Sequence, residues 1–180
     1  MSPIWPTLAR ASFRRSSGCA QPVTLRYFLL AVILPIVIGG LIYLLFRTES
    51  LLMFSWAEHL SLTELISRGR TAAAPLLPHV PGFVLFSVPD GVWVFSATAF
   101  FARLWHDGPL WMRAGWIGVV PAMAIGGELG QIVGLVPGTF DVLDMIAYGI
   151  ATAGALWIAQ RSAAAATAER LTAPTAAAPR

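Results

Sequence analysis

The chain has 180 residues, of which 57% are hydrophobic and 12% charged, and a formal net charge of +3 in which every basic residue is arginine. Its apolar residues fall in unbroken runs, which excludes an ordinary soluble core, and the length leaves room for one membrane domain and no second soluble one. No basic patch with interleaved aromatics is present, which excludes nucleic acid as a partner, and the lone Cys19 excludes an internal disulfide or a cysteine metal cage.

Residues 1–24 mix Pro, Ser and Arg and read as a poorly ordered basic leader. Leu25 to Phe46 is apolar apart from Arg26, long enough to cross about 30 Å of hydrocarbon, and too long for a cleaved signal peptide. Pro35 and Gly39-Gly40 predict a kink or a close helix contact within it.

Residues 47–81 form a long loop. Leu52, Trp56, Leu60, Thr63 and Ile66 recur at helical spacing opposite Glu49, Glu58 and Ser61, the pattern of a helix lying among headgroups. Ser61-Leu62-Thr63-Glu64 has the spacing of a capping box, which predicts a short helix from Leu62 to about Arg68, ending at Gly69. Pro75, Pro78 and Pro81 predict an extended remainder. Such a loop either caps a site or seats the bundle as an interfacial belt.

The second span is expected over 82–105, broken at Pro89-Asp90-Gly91 beside a polar cavity, because proline frees a carbonyl and an intramembrane Asp needs a partner. Trp93, Phe95, Phe100, Phe101 and Trp105 read as lipid-facing or interfacial bulk. A third span follows over 114–136, in which Gly126, Gly130 and Gly134 form a ridge of small residues open to close approach by another helix. The fourth span, over 142–160, offers Ala147, Ala151 and Ala155 as the matching smooth face. The tail 162–180 is rich in Ala, Thr and Pro and reads as disordered, or at most as a frayed extension of the last helix. Nine arginines (10, 14, 15, 26, 103, 113, 161, 170, 180) then lie on one side and three (47, 68, 70) on the other, which predicts cytoplasmic termini. The expected fold is an all-α membrane protein, a four-span bundle over 25–161 with an interfacial helical loop between its first two spans.

A carboxylate inside an apolar run costs some kcal/mol even on mild scales, so Glu128 and Asp90 are candidate functional groups. With the third helix ending at Pro137, Glu128 would lie about 13 Å below that end, toward mid-bilayer, at a depth similar to that of Asp90. Asp141 and Asp144 are three apart, the spacing at which two carboxylates jointly hold a hard cation or a polar headgroup, so they are the metal candidates. The same pair would also serve as N-cap and N3 residues of the last helix, with no function implied. Gln131 reads as a binding or structural partner of Glu128, and Glu128 itself also fits a packing role as a hydrogen-bonded neutral acid. His59, His79 and His106 are scattered in loops and form no ligand set.

The run Glu128-x-x-Gln131, Pro137-Gly138-Thr139-Phe140-Asp141-x-x-Asp144, followed by small residues, resembles the signature of the VanZ-like membrane proteins, named for a teicoplanin-resistance determinant. Pro89-Asp90-Gly91-x-Trp93 resembles it more loosely. Two departures stand out: many relatives carry Arg where Thr139 stands and Asn where Tyr148 stands. The resemblance implies a multi-pass protein of the bacterial cell membrane, with Glu128, Gln131, Asp141 and Asp144 as its signature positions. The expected partners are membrane lipids and a lipid-linked or cell-wall-related envelope precursor, bound or processed at an outward-facing acidic site. Were the site catalytic, Glu128 would be the proton-transfer group, with Asp90 as the second candidate. The sequence leaves the cofactor open. A non-catalytic scaffold and a proton-coupled carrier using Asp90 and Glu128 are the competing classes; the carrier lacks evident inverted repeats.

Overall fold

The computed structural model describes residues 25–48 and 52–172. The basic leader with Cys19, Glu49 of the loop and the tail beyond residue 172 lie outside the described residues. Among the described residues there are six helices and no strand: α1 (Leu25–Phe46), α2 (Leu52–His59), α3 (Thr63–Ala73), α4 (Gly82–Leu104), α5 (Leu110–Ile132) and α6 (Val142–Thr172). Three of them, α1, α4 and the Val142–Ala168 part of α6, are long and apolar enough to cross a membrane. The chain is a multi-span integral membrane protein. Helix α5 matches α4 in length at 23 residues, but its glycines, Pro121, Glu128 and Gln131 dilute its apolar character, and it is not among the three.

Helix α1 widens over Phe28–Ile33 into π-type turns, with the Leu34 amide bonded to the Leu29 carbonyl five residues back. Pro35 follows directly, and a wide turn gives its ring the room that a regular preceding turn denies it. Gly39 is a close contact: a Cβ there would lie 2.5 Å from Nε1 of Trp93 and 2.9 Å from Val92. Gly40 meets nothing.

Helix α4 is the centre of the molecule, packed by α1, α5 and α6. It runs unbroken through Pro89-Asp90-Gly91, contrary to the expected interruption. Its buried positions are mostly small, among them Ser87, Gly91, Ser96, Ala99 and Ala102, so neighbours approach closely enough to hold it together despite the missing proline amide. Tyr27 Oη donates to the Ala99 carbonyl at 3.0 Å and ties α1 to α4 near the other end.

The alanine face of α6 packs on α4 and not on the glycine ridge of α5, which corrects the expected pairing. A Cβ on Gly91 would lie 3.2 Å from that of Ala147, Gly154 faces the Phe95 ring, and Ala99 and Ala155 are wholly buried in one cluster with Tyr27 and Ala31. Val94, Tyr148 and Ala151 form a second cluster in the same seam. Gly126 has nothing near it, and Glu128 is the buried residue of α5. Helix α6 also outruns its expected end at residue 160, since the alanine-rich segment continues as helix to Thr172.

The loop folds differently from the expectation as well. The capping box does not form: Ser61 has φ 58° and closes α2, with Leu62 N–H on the Ala57 carbonyl at 2.8 Å and Ser61 N–H on that of Glu58 at 2.9 Å. Glu64 pairs instead with Arg68 one turn on, at 2.9 Å on the exposed face. Helix α3 passes Gly69 and runs to Ala73, and Ala74–His79 is a 3₁₀ turn, not an extended strand.

Candidate functional site

Helix α5 stops at Ile132, short of the expected Val136. Gly134, with φ 70°, takes the left-handed position that ends the helix; its N–H bonds to the Gln131 carbonyl at 3.2 Å and that of Leu135 to Gly130 at 2.9 Å. The third glycine of the supposed ridge is therefore a helix terminator, and Gly130 lies under the returning Val136 side chain. Glu128 sits about 6 Å from the helix end as a consequence, one turn in, and not the expected 13 Å.

The 133–141 connection folds back over that last turn. Gly138, with φ 138°, crosses Gln131 so closely that a Cβ would lie 2.9 Å from Gln131 Cδ. Asp141 N–H then donates to Glu128 Oε2 at 3.1 Å, while Asp141 Oδ1 accepts from Leu143 N–H at 2.8 Å. Asp141 is thus the N-cap of α6 and a strut to α5 at once. Asp144 lies in the first turn of α6, where a carboxylate favours the positive end of the helix dipole.

Asp90 reaches the same end of the bundle from α4. Its Oδ1 accepts from Tyr43 Oη of α1 at 2.6 Å, a short charge-assisted geometry that supplies the partner an intramembrane carboxylate needs. The Tyr43 ring stacks on Trp93 with centroids 5.0 Å apart, and the Arg47 guanidinium lies 5.0 Å above Tyr43 and 4.8 Å from the Phe86 ring. Trp93, expected as lipid-facing or interfacial bulk, is 39% exposed and is also a wall of the site. Beside Asp90 lies an open cavity of about 340 Å³, lined by Asp90, Trp93, Val94, Val120, Ala124 and Tyr148. Asp90 feels the like charges of Asp144 and Glu128 and the opposite charge of Arg47, so three helices bring their carboxylates into one electrostatic neighbourhood.

The site is rich in acceptors. Gln131 Oε1 and Asp144 Oδ1 are both shielded and have no hydrogen-bond partner among the described residues. A shielded acceptor left unpaired costs about 1–3 kcal/mol, so this arrangement favours a ligand that brings donors. Among the described residues no group of three or more His, Cys, Asp or Glu side chains is placed to share a metal ion. Of the predicted metal pair, Asp141 has its Oδ1 engaged in capping, and Asp144 holds a shielded oxygen without a partner among the described residues.

Of the sequence candidates, Glu128 and Asp141 are joined directly, Gln131 and Asp144 belong to the same two helix ends, and Asp90, which lines the cavity, feels the charges of Glu128 and Asp144. Tyr43, Arg47 and Tyr148 were not identified as site residues from the sequence. The signal for Tyr43 was a single phenol in the last turns of an otherwise apolar span, which by itself also fits an interfacial anchor. Compared with known proteins, the chain matches no family model, no curated protein and no solved structure.

Proposed function

We propose that the protein is a VanZ-like envelope protein that binds the polar head of a lipid-linked or cell-wall-related molecule at the acidic site. The observation that carries this reading is the imbalance of the site: Asp90 lines an open cavity whose other walls are mostly apolar, it feels the charges of Glu128 and Asp144, and Gln131 and Asp144 each keep a shielded acceptor without a partner among the described residues. Such a pocket selects a head that donates, an ammonium or a cluster of hydroxyls, and disfavours a bare phosphate. In this reading α5 is the fourth span, since it is long enough to cross and connects to α4 and α6 by short turns that make neighbours antiparallel. Both termini are then cytoplasmic, with nine arginines on that side against three, and the site opens outward beside the loop. Glu128, Gln131, Asp141 and Asp144 are the positions carried over from the family signature.

A second reading has a specific observation of its own. The hydrogen bonds of Asp90 and Glu128 both run to other elements of the chain, to Tyr43 and to the Asp141 amide, as a scaffold that locks helices would require. Thermal unfolding in detergent separates the two. Short-chain phosphatidylethanolamine should raise the unfolding temperature of wild type more than phosphatidic acid, which presents a bare phosphate, and Asp90→Asn and Glu128→Gln should lose that difference, because a ligand of the folded state stabilises it by mass action. Equal response to both lipids, together with strong destabilisation in both variants, leaves the scaffold.

A further inference from the structure

The last turn of α1 leaves carbonyls without intrahelical partners, as every helix end does. Two of them, on Leu44 and Arg47, are taken by one Arg70 Nη1, at 2.9 and 2.8 Å. Arg70 belongs to α3 and comes from outside the span; its guanidinium also lies 5.5 Å from the Phe54 ring of α2, so both loop helices grip it. Gly69 permits the approach, since a Cβ there would already lie 3.1 Å from Leu45 Cδ2. The turn held in this way is the turn that works on the site. Arg47 N–H bonds to the Tyr43 carbonyl at 3.1 Å, the Arg47 side chain covers the Tyr43 ring, and Tyr43 Oη holds Asp90.

We propose that α2 and α3 form a clasp over the acidic site, with Arg70 as its positioning residue. Engaged, the clasp keeps the last turn of α1 wound and seats Tyr43 and Arg47 over Asp90. Released, that turn frays, because its terminal carbonyls lose their donor and the cation at the negative end of the helix dipole. Tyr43 then leaves Asp90 open to water on the loop side. The clasp regulates access to the site and so rests on the proposed reading of Asp90 as part of a binding site. A cap that served α1 alone would leave Asp90 unaffected, and this difference is what the experiment reads.

The test uses the full chain in lipid nanodiscs, with Cys19→Ser to remove the native thiol. Carboxylates are labelled with a water-soluble carbodiimide and glycine ethyl ester and quantified by mass spectrometry, with exposed Glu64 as internal standard. Arg70→Ala should raise Asp90 labelling at least threefold, and Phe54→Ala should raise it less. Arg70→Lys, which keeps a donor and the charge, should fall near wild type. A Leu45→Cys/Gly69→Cys cross-link in the Arg70→Ala background should return labelling to the wild-type level, since it replaces the clasp covalently. Unchanged Asp90 labelling in both Arg70→Ala and Phe54→Ala, or a rise that the cross-link does not reverse, overturns the clasp. If Arg70→Ala does not fold, Phe54→Ala alone decides, and unchanged labelling there overturns the proposal. The phosphatidylethanolamine response of the same samples keeps the two ideas apart. Its absence in wild type sinks the binding site while labelling still decides the clasp, and its presence with unchanged labelling leaves the site standing without a clasp.

Discussion

Helix α6 meets two neighbours in two different ways, and the contrast explains most of the architecture. Against α4 it packs through small residues: Gly91 on Ala147, Gly154 on Phe95, and Ala99 with Ala155 in a fully buried seam. Against α5 it is joined at the connection, where Asp141 caps α6 and bonds Glu128, while Gly126 stands free. Lipid tails are as apolar as the helices, so helices in a membrane associate by close packing or by polar bonds. Here the seam supplies the first and the acidic site the second, which leaves α5 as the less constrained element beside the cavity.

Overfilling the seam should break this comparison most severely. Ala155→Phe puts a ring where the exposure is 0%, and should cost about 3 kcal/mol or more by forcing α6 off α4, read as a fall in unfolding temperature in detergent. Next comes the polar side. Tyr43→Phe removes the donor to Asp90 and leaves a half-buried carboxylate unpaired, for a loss of about 2 kcal/mol, with Asp90→Asn in the Tyr43→Phe background recovering part of it. Gly134→Ala forces a side chain into a left-handed conformation and should cost about 1 kcal/mol, detected as faster amide exchange over 128–136. At the small end, Gly126→Ala should stabilise by about 0.5 kcal/mol, because its site is open and alanine favours helix. A clear loss there would mean that the glycines of α5 do face a partner, and would erase the distinction between the two contacts.

The acidic site was partly legible before the fold was known. Glu128, Asp141 and Asp144 stand out because carboxylates in apolar surroundings are costly, and that cost is a property of the residue and its immediate neighbours. Tyr43 and Arg47 did not stand out, since their role depends on α1 reaching Asp90 across 47 residues of chain. Trp93 was read incompletely for the same reason: it is 39% exposed, as lipid-facing bulk would be, and its further contact with the site depends on the Tyr43 ring that stacks on it from α1. The loop shows how a local motif fails. Ser61 and Glu64 have capping-box spacing, yet Ser61 closes the preceding helix, because a single residue between two helices serves as the end of one or the start of the other.

By itself the sequence determined the membrane class, the helical character and the approximate places of the long helices, because hydropathy and backbone satisfaction in lipid act locally along the chain. Only the tertiary structure decided which small-residue stripe met which helix, where α5 stopped, and that α3 docks on the end of α1. Glycine at every fourth position serves equally for close packing, for a left-handed terminator or for nothing at all. The choice among these depends on what lies within a few ångströms in space, which spacing along the chain does not contain.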